Sequence, residues 1–409
     1  MELTLEQCLE RASTHNADIR SYGLASAEAE QGVNEALGAF LPTLTLGYNY
    51  NELSNGNSGE RDTDYLDQDS HSYSVRLTQP LFTGFSGIAG LKRAHQLQGY
   101  RQAEEQYIRQ QVVRNVKTSF YSSIQASQRV SQWRASVQRL ERQKKIAAAW
   151  VEQRLAPRLR LLETEVELSN ARHQLIRSES EQKIASAQLR QLLAFESDQA
   201  FKLSGDLPDD VVSPCSSLEQ CLSVALEQRP DLKLAQFNIE LARQDARAIM
   251  ARNLPQVQLE GGWTDYSRSY DDSRYADDDR DYYSVTLNVT LRPFQGGRNL
   301  SAWRKQQIAV NRYEQQLAAA RYQVASDVET RFQQLQEARA RITNAQDTLN
   351  EARSAYEVAN RSTELGVSSL DDLLNAELRL TRAEINLIDS QAAAAQSRVQ
   401  LDFAVGEKW

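Results

Sequence analysis

The sequence predicts a mainly α-helical chain with a β part, built as two copies of one unit that runs helix, helix, strand, strand, long helix, helix. Three observations carry this. First, Leu5-Glu6-Gln7-Cys8-Leu9 returns word for word as Leu218-Glu219-Gln220-Cys221-Leu222, an offset of 213 (218 minus 5) that also relates Asp18 to Asp231 and Leu41-Pro42 to Leu254-Pro255. Second, no Gly or Pro interrupts Arg298 to Leu365, and Leu335, Ala338, Ile342, Ala345, Leu349, Ala352 and Tyr356 alternate steps of three and four along it. That is a coiled-coil seam on one helix, a rod of roughly 100 Å at ~1.5 Å per residue. Third, four short stretches alternate apolar and polar residues with period two, the mark of strands with one apolar face.

In the first unit, residues 1–195, a short helix (about 4–14) leads to a second (about 18–39), which Leu41-Pro42 ends because the residue before proline avoids helix. A strand at about 43–51 sets Leu44, Leu46, Tyr48 and Tyr50 against Thr43, Thr45, Asn49 and Asn51. A polar loop from Ser54 to Ser70 follows, then a strand at about 72–81 with Tyr73, Val75 and Leu77 on one face. Pro80-Leu81-Phe82-Thr83-Gly84 turns the chain into a long helix (about 87–153), and a break at Leu155-Ala156-Pro157 starts a return helix (about 159–195). Residues 196–217, with Gly205, Pro208 and Pro214, read as a loop-rich linker.

The second unit, 218–409, repeats the order, with strands at about 256–266 and 282–292, a long helix at about 298–365 and a return helix at about 370–405. Farther along the unit the offset is 212: Phe120 matches Phe332, Leu168 Leu380, Ala171 Ala383 and Leu175 Leu387. Gly366 suits the left-handed residue after a helix end, and Ser369 with Asp372 reads as a capping box for the return.

Composition narrows the function. A mean hydropathy of −0.60 and the lack of an 18-residue apolar run exclude a transmembrane helix. A net charge of −8 is not the profile of a nucleic-acid binder. Met1-Glu2-Leu3 opens directly on a helix, so either the chain is cytoplasmic or a leader has been removed. Gly84, Gly87 and Gly90 lack the lysine and spacing of a phosphate loop and fit a flexible corner. The four histidines have no metal spacing, the aspartates at 271–279 lack the calcium-loop pattern and read as a solvated loop, and no acid–base or nucleophile constellation marks an enzyme. Cys8 and Cys221 hold equivalent positions and read as small buried apolar groups; a periplasmic location would allow Cys215 and Cys221 to form a disulfide.

Strands of about ten residues are long enough to cross a bilayer when tilted, but four cannot close a barrel and open edges are not tolerated in lipid. If these strands lie in a membrane, several chains share one barrel. The alternative is a soluble coiled-coil scaffold or tether with the strands as a cap. The doubled order of Leu5-Glu6-Gln7-Cys8-Leu9, Leu41-Pro42, Leu81-Phe82-Thr83-Gly84, Phe294-Gln295-Gly296-Gly297 and Leu365-Gly366-Val367 followed by 370–376 resembles the TolC-like outer-membrane efflux channel family, over the whole chain. That resemblance implies a homotrimer: a transmembrane β-barrel of twelve strands shared between chains and set in outer-membrane lipid, continued into the periplasm by a coiled-coil α-barrel. It implies an export duct for drugs, toxins or secreted proteins, as in type I secretion, docked to an inner-membrane pump through a periplasmic adaptor, with no cofactor and no catalysis.

The resemblance also implies site residues. Acidic side chains at the start of the last return helix narrow the periplasmic entrance in the family; Asp372 and Asn375 fall at those positions, with Asp371 beside them. Arg160 corresponds to Asp372 at the repeat offset, and Arg158 lies just before it; two cations at a helix start oppose the macrodipole, so pairing of Arg158 or Arg160 with Asp371 or Asp372 is expected in a shut duct. The hairpin turns Leu155, Ala156, Pro157 and Leu365, Gly366, Val367 are expected to meet the adaptor. The chain departs from the family at Leu155-Ala156-Pro157, where a glycine-containing turn is usual, and at Arg292-Pro293, inserted relative to the first corner.

Overall fold

The computed structural model describes residues 2–53, 68–196, 201–270, 276–365 and 367–407. In chain order its elements are β1 (Glu2–Leu3), α1 (Leu5–His15), α2 (Ala17–Gly38), β2 (Thr43–Leu53), β3 (Gln68–Phe82), α3 (Ser86–Glu152), α4 (Arg158–Leu192), β4 (Lys202–Leu203), α5 (Leu218–Gln228), α6 (Pro230–Ala251), β5 (Gln256–Tyr270), β6 (Asp278–Thr290), α7 (Arg298–Glu364) and α8 (Leu370–Val405). The two compact units do not follow the sequence halves. One gathers 1–24, 103–233 and 318–409; the other gathers 25–102 and 234–317.

The second of these units holds a four-stranded antiparallel sheet in the order β2-β3-β5-β6. Its register decides how the alternation is used. Leu44 pairs with Leu77, Leu77 with Gly261, and Gly261 with Val285; the next row of the same face runs Leu46, Val75, Trp263, Tyr283. Residues facing each other across a ladder share a face, so one side is apolar across all four strands. These side chains are exposed, Leu46 to 72% and Val285 to 80%. The opposite face carries Thr45, Arg76, Gly262 and Ser284 in one row. Toward the loop end the apolar face closes on aromatics, with the Tyr48 and Tyr73 rings 5.0 Å apart.

The strands run longer than the alternation marks. Ladder pairs continue to Leu53↔Gln68 and Gln68↔Tyr270, because backbone pairing needs no apolar side chain. Pro80 lies inside β3 without breaking it: β2 pairs only as far as Thr78, so beyond that point β3 has a neighbour on one side only, where proline is tolerated. The loop readings at 54–70 and 271–279 fall largely outside the described residues.

Gly84 makes the corner from β3 into α3 possible. Its φ is +63°, and an added Cβ would stand 2.6 Å from the Ala251 carbonyl oxygen. Only glycine takes that conformation freely, and only glycine leaves room for the neighbouring backbone. Behind the corner, Ile239, Ala242 and Val310 pack α6 on α7, and Arg93 bonds Asp245 at 2.7 Å across α3 and α6.

The other unit is helical apart from the short β1-β4 pair. Leu335, Ala338, Ile342, Ala345 and Leu349 of the α7 seam are buried, and Leu349 packs with Leu380 and Ala383 of α8. Its main core joins Leu3 and Cys8 to Val116, Phe120, Leu189 and Ala392. Two expectations are corrected here. The chain does not open directly on a helix: Glu2–Leu3 pairs in parallel with Lys202–Leu203, because an extended start buries Leu3 to 1% exposure, and Thr4 then caps α1 with Gln7 as a capping box. The loop-rich segment 196–217 contributes the two residues of β4 and is held by a Cys215–Cys221 disulfide with Cα atoms 5.6 Å apart. Cys221 is therefore not a free apolar filler, whereas Cys8 is free and buried, and burial pushes its thiol up to about 11.

One polar cluster lies inside the helical packing. Glu377 of α8 is fully buried and accepts from Arg139 Nε at 2.7 Å, Ser136 Oγ at 3.0 Å and Thr381 Oγ1 at 3.0 Å; Arg139 also reaches Glu384 at 3.0 Å. Burial pushes the Glu377 carboxyl up, and Arg139 opposes that shift. Such a pair adds little net stability, but breaking it strands a buried charge. Arg139→Ala should therefore cost about 3–5 kcal/mol, read from the urea midpoint followed by circular dichroism. Arg139→Leu combined with Glu377→Leu should recover most of that loss.

Candidate functional site: the hairpin tips

The tips of the two helical hairpins share one small core. Ala147, Leu370 and Leu373 are buried together, with Trp150, Leu161, Tyr356 and Ala359 packed against them. This brings the starts of α4 and α8 side by side, although 210 residues separate Arg160 from Leu370 in the chain.

Arg160 forms an ion pair with Asp371 of the same chain and a second with Glu163 at 3.0 Å. α4 begins on Pro157, which offers no side-chain cap, and its first turn holds no acid. Asp371 supplies from the neighbouring helix the negative charge that the start of α4 lacks. Arg158 is exposed and is not part of this pair. Asp372 is used differently. Its carboxylate accepts from Ser369 Oγ at 2.7 Å, Ser368 Oγ at 3.0 Å and the Ser369 amide at 3.1 Å, and Ser369 Oγ accepts from its amide in return. Those donors, the Ser369 hydroxyl first, hold its carboxyl below the usual range, so Asp372 stays charged. Asn375, one turn on, is exposed.

The turns themselves expose apolar side chains. Leu155 is 69% exposed, and its amide donates to the Trp150 carbonyl at 2.8 Å. Leu365 and Val367 are 79% and 82% exposed. Ala156 is half-buried and Pro157 exposed; Gly366 lies outside the described residues. A groove of about 490 Å³ runs between α4 and α8, lined by Leu159, Leu162, Val166, Leu374, Asn375 and Leu378. The Arg139–Glu377 cluster escaped the reading of the sequence. Its signal was there: Glu377 stands between Leu373 and Leu380 at a seam position, where a carboxylate demands a buried partner.

Among the described residues no group of His, Cys, Asp and Glu could hold a metal ion, and no described helix is long and apolar enough to cross a membrane. The second statement leaves the sheet untouched.

The model of the outer membrane efflux protein family matches the chain twice, over residues 8–194 and 221–407. The outer membrane protein TolC of Salmonella enteritidis is 22% identical over 98% of this chain and 82% of its own length. The alkaline protease secretion protein AprF of Pseudomonas aeruginosa is 24% identical over 90% of this chain and 77% of its own. The solved outer-membrane channel OprN superposes with a TM-score of 0.82 at 15% identity, covering 98% of this chain and 89% of that one. The chain belongs to the outer membrane efflux protein family, and it is an outer-membrane duct of the kind that serves efflux and type I secretion.

Proposed function

We propose that three copies of this chain assemble into one duct, that its periplasmic entrance is formed by the hairpin tips, and that an inner-membrane pump delivers cargo to it through a periplasmic adaptor. The observation that carries this reading is the sheet: one apolar face across four strands, with the outer edges of β2 and β6 left without a strand neighbour among the described residues. In lipid each unpaired backbone group costs several kcal/mol, so the edges must be closed by other copies. β2 and β6 run in opposite directions along the antiparallel sheet, so β6 of one copy meets β2 of the next with antiparallel geometry at every junction. Two copies would give eight strands and three would give twelve; the family resemblance selects three. A soluble scaffold is not favoured, since it would leave this apolar face in water.

At the entrance, Arg160 and Asp371 form the latch, with Asp372 and Asn375 as polar residues of the constriction and Arg158 as a further cation at the rim. One partly exposed pair is worth only ~0.2–1 kcal/mol, and three symmetry-related pairs acting together bias a gate without locking it. That bias suits an entrance that a partner has to open. Leu155, Ala156 and Pro157 on one tip, and Leu365, Gly366 and Val367 on the other, form the contact with the adaptor. The relatives matched are channel proteins, and the reading assigns no catalytic step to any residue of this chain.

Native mass spectrometry in detergent should show a trimer; a stable monomer that still inserts into bilayers would overturn the assembly. In planar bilayers, Arg160→Ala and Asp371→Ala should each raise conductance by roughly threefold to a hundredfold, given three pairs of that strength. The double variant should add little to either. Wild-type conductance in both single variants would place the gate elsewhere.

A further inference from the structure

The four corners where the sheet passes into the helices, residues 36–46, 79–93, 246–259 and 287–303, contain no aspartate or glutamate. The chain as a whole is acidic, with 55 carboxylates in 409 residues, and at that frequency about eight would fall in these segments. The same segments carry six cations: Lys92, Arg93, Arg247, Arg252, Arg292 and Arg298. All six are exposed, and among the described residues only Arg93 has a carboxylate partner, Asp245. Arg247 donates to Gln244 and Arg298 to Gln295, neither of which neutralises it. Helix dipoles do not account for the charge. α3 and α7 begin at these corners while α2 and α6 end there, so positive and negative helix ends offset one another. The side chains themselves make this level of the fold electropositive.

The cations share that level with large exposed apolar groups. Leu41 is 62% exposed, Leu81 and Phe85 56% each, Leu291 52% and Phe294 82%. Leu41 and Leu291 follow the last pairs of the outer strands, Thr43↔Thr78 and Gln256↔Thr290, Leu81 lies in the final stretch of β3, which pairs with β5 as far as Phe82↔Val257, and Phe85 and Phe294 stand in the corners that follow. At the other end of the sheet the charge reverses: Glu52, Asp69, Asp277, Asp278, Asp279 and Asp281 crowd the loop side. A band that combines exposed apolar groups with cations and is poor in carboxylates, Asp245 beside Arg93 being the one paired with a cation there, matches the boundary between acyl chains and phosphate headgroups.

We propose that this corner band is a binding collar for anionic phospholipid. Leu41, Leu81, Phe85, Leu291 and Phe294 enter the acyl boundary, and Lys92, Arg252, Arg292 and Arg298 hold the phosphodiester headgroups. The proposal rests on the outer-membrane placement of the sheet, and it adds that the contact is selective for headgroup charge. The occupant follows from charge complementarity and from the continuity of the band with the lipid-facing sheet. Guanidinium groups suit phosphate oxygens because their planar donors can bond two at once.

The test is quenching of tryptophan fluorescence in the purified full chain reconstituted in bilayers, with Trp133, Trp150, Trp303 and Trp409 replaced by phenylalanine so that Trp263, on the apolar face of the sheet, is the reporter. Brominated phosphatidylglycerol is compared with brominated phosphatidylcholine. At low salt the anionic lipid should be preferred about fivefold or more, and the preference should collapse toward unity at ~1 M salt, where the screening length falls to about 3 Å. Lys92→Gln, Arg252→Gln, Arg292→Gln and Arg298→Gln together should remove the preference, while neutralising Arg341, Arg353, Arg361 and Arg379 should leave it unchanged. Equal quenching by both lipids in the wild type, or a preference indifferent to salt, would overturn the collar. Conductance on the same preparation separates the two readings: a chain that conducts without lipid preference refutes the collar alone, and a chain that never inserts refutes the membrane placement beneath it.

Discussion

The backbone of the β2-β3-β5-β6 sheet imposes the condition that the rest of the chain meets. Every strand amide and carbonyl in a bilayer must be bonded to protein, and this chain leaves the outer rows of β2 and β6 open. A single copy cannot satisfy that requirement at any side-chain composition. The apolar face suits the sheet to lipid, and the open edges are the reason for the proposed assembly of several copies. The polar face, with Arg76, Thr264, Tyr266 and Arg268, is then the face a closed barrel turns inward, where charge costs little in contact with water.

The helical unit solves a different problem. Long helices packed on heptad seams slide past one another easily, because Leu and Ala knobs at one step resemble those at the next. Polar contacts between α3 and α8 remove that freedom. Arg129 grips Asp389 at 2.7 Å, Gln125 donates to the same carboxylate at 2.9 Å, and Arg139 holds Glu377 and Glu384. A shift by one turn would strand Glu377 in an apolar seam. The network therefore fixes register, and with it the relative position of the helix starts that bring Arg160 and Asp371 together.

Much of this was legible in the sequence. Alternation of Leu44, Leu46, Tyr48 and Tyr50 is visible without coordinates because strand side chains obey a period of two, and the α7 seam is visible because Gly and Pro are missing over 67 residues. What stayed hidden depends on long-range pairing. Nothing near Leu3 announces a strand, since its partner Leu203 is 200 residues away, and nothing near Arg139 announces Glu377. At the tips the sequence offered four candidate pairings between two arginines and two aspartates. The structure uses Arg160 with Asp371, because Asp372 is already committed to its capping box.

That commitment shows how a duplicated chain acquires an asymmetric tip. The two return helices, α4 and α8, occupy equivalent places in the repeat, yet they handle their exposed starts in opposite ways. α8 satisfies its own: Ser369 and Asp372 close the capping box, and Asp371 is left over as surplus negative charge. α4 has only Pro157 as its cap and carries cations where acid would be favourable. Two identical tips could not complement each other, since both would present acid or both would present base. Because one tip has excess anion and the other excess cation, the pair can close on itself through Arg160 and Asp371 without help from a third group. The bond is partly exposed at both ends, hence weak and open to competition from any charged surface brought against the tips. Duplication supplied two hairpins of matching length, and divergence at a handful of positions around 157–160 and 369–372 gave them the opposite charges that pair as Arg160 and Asp371.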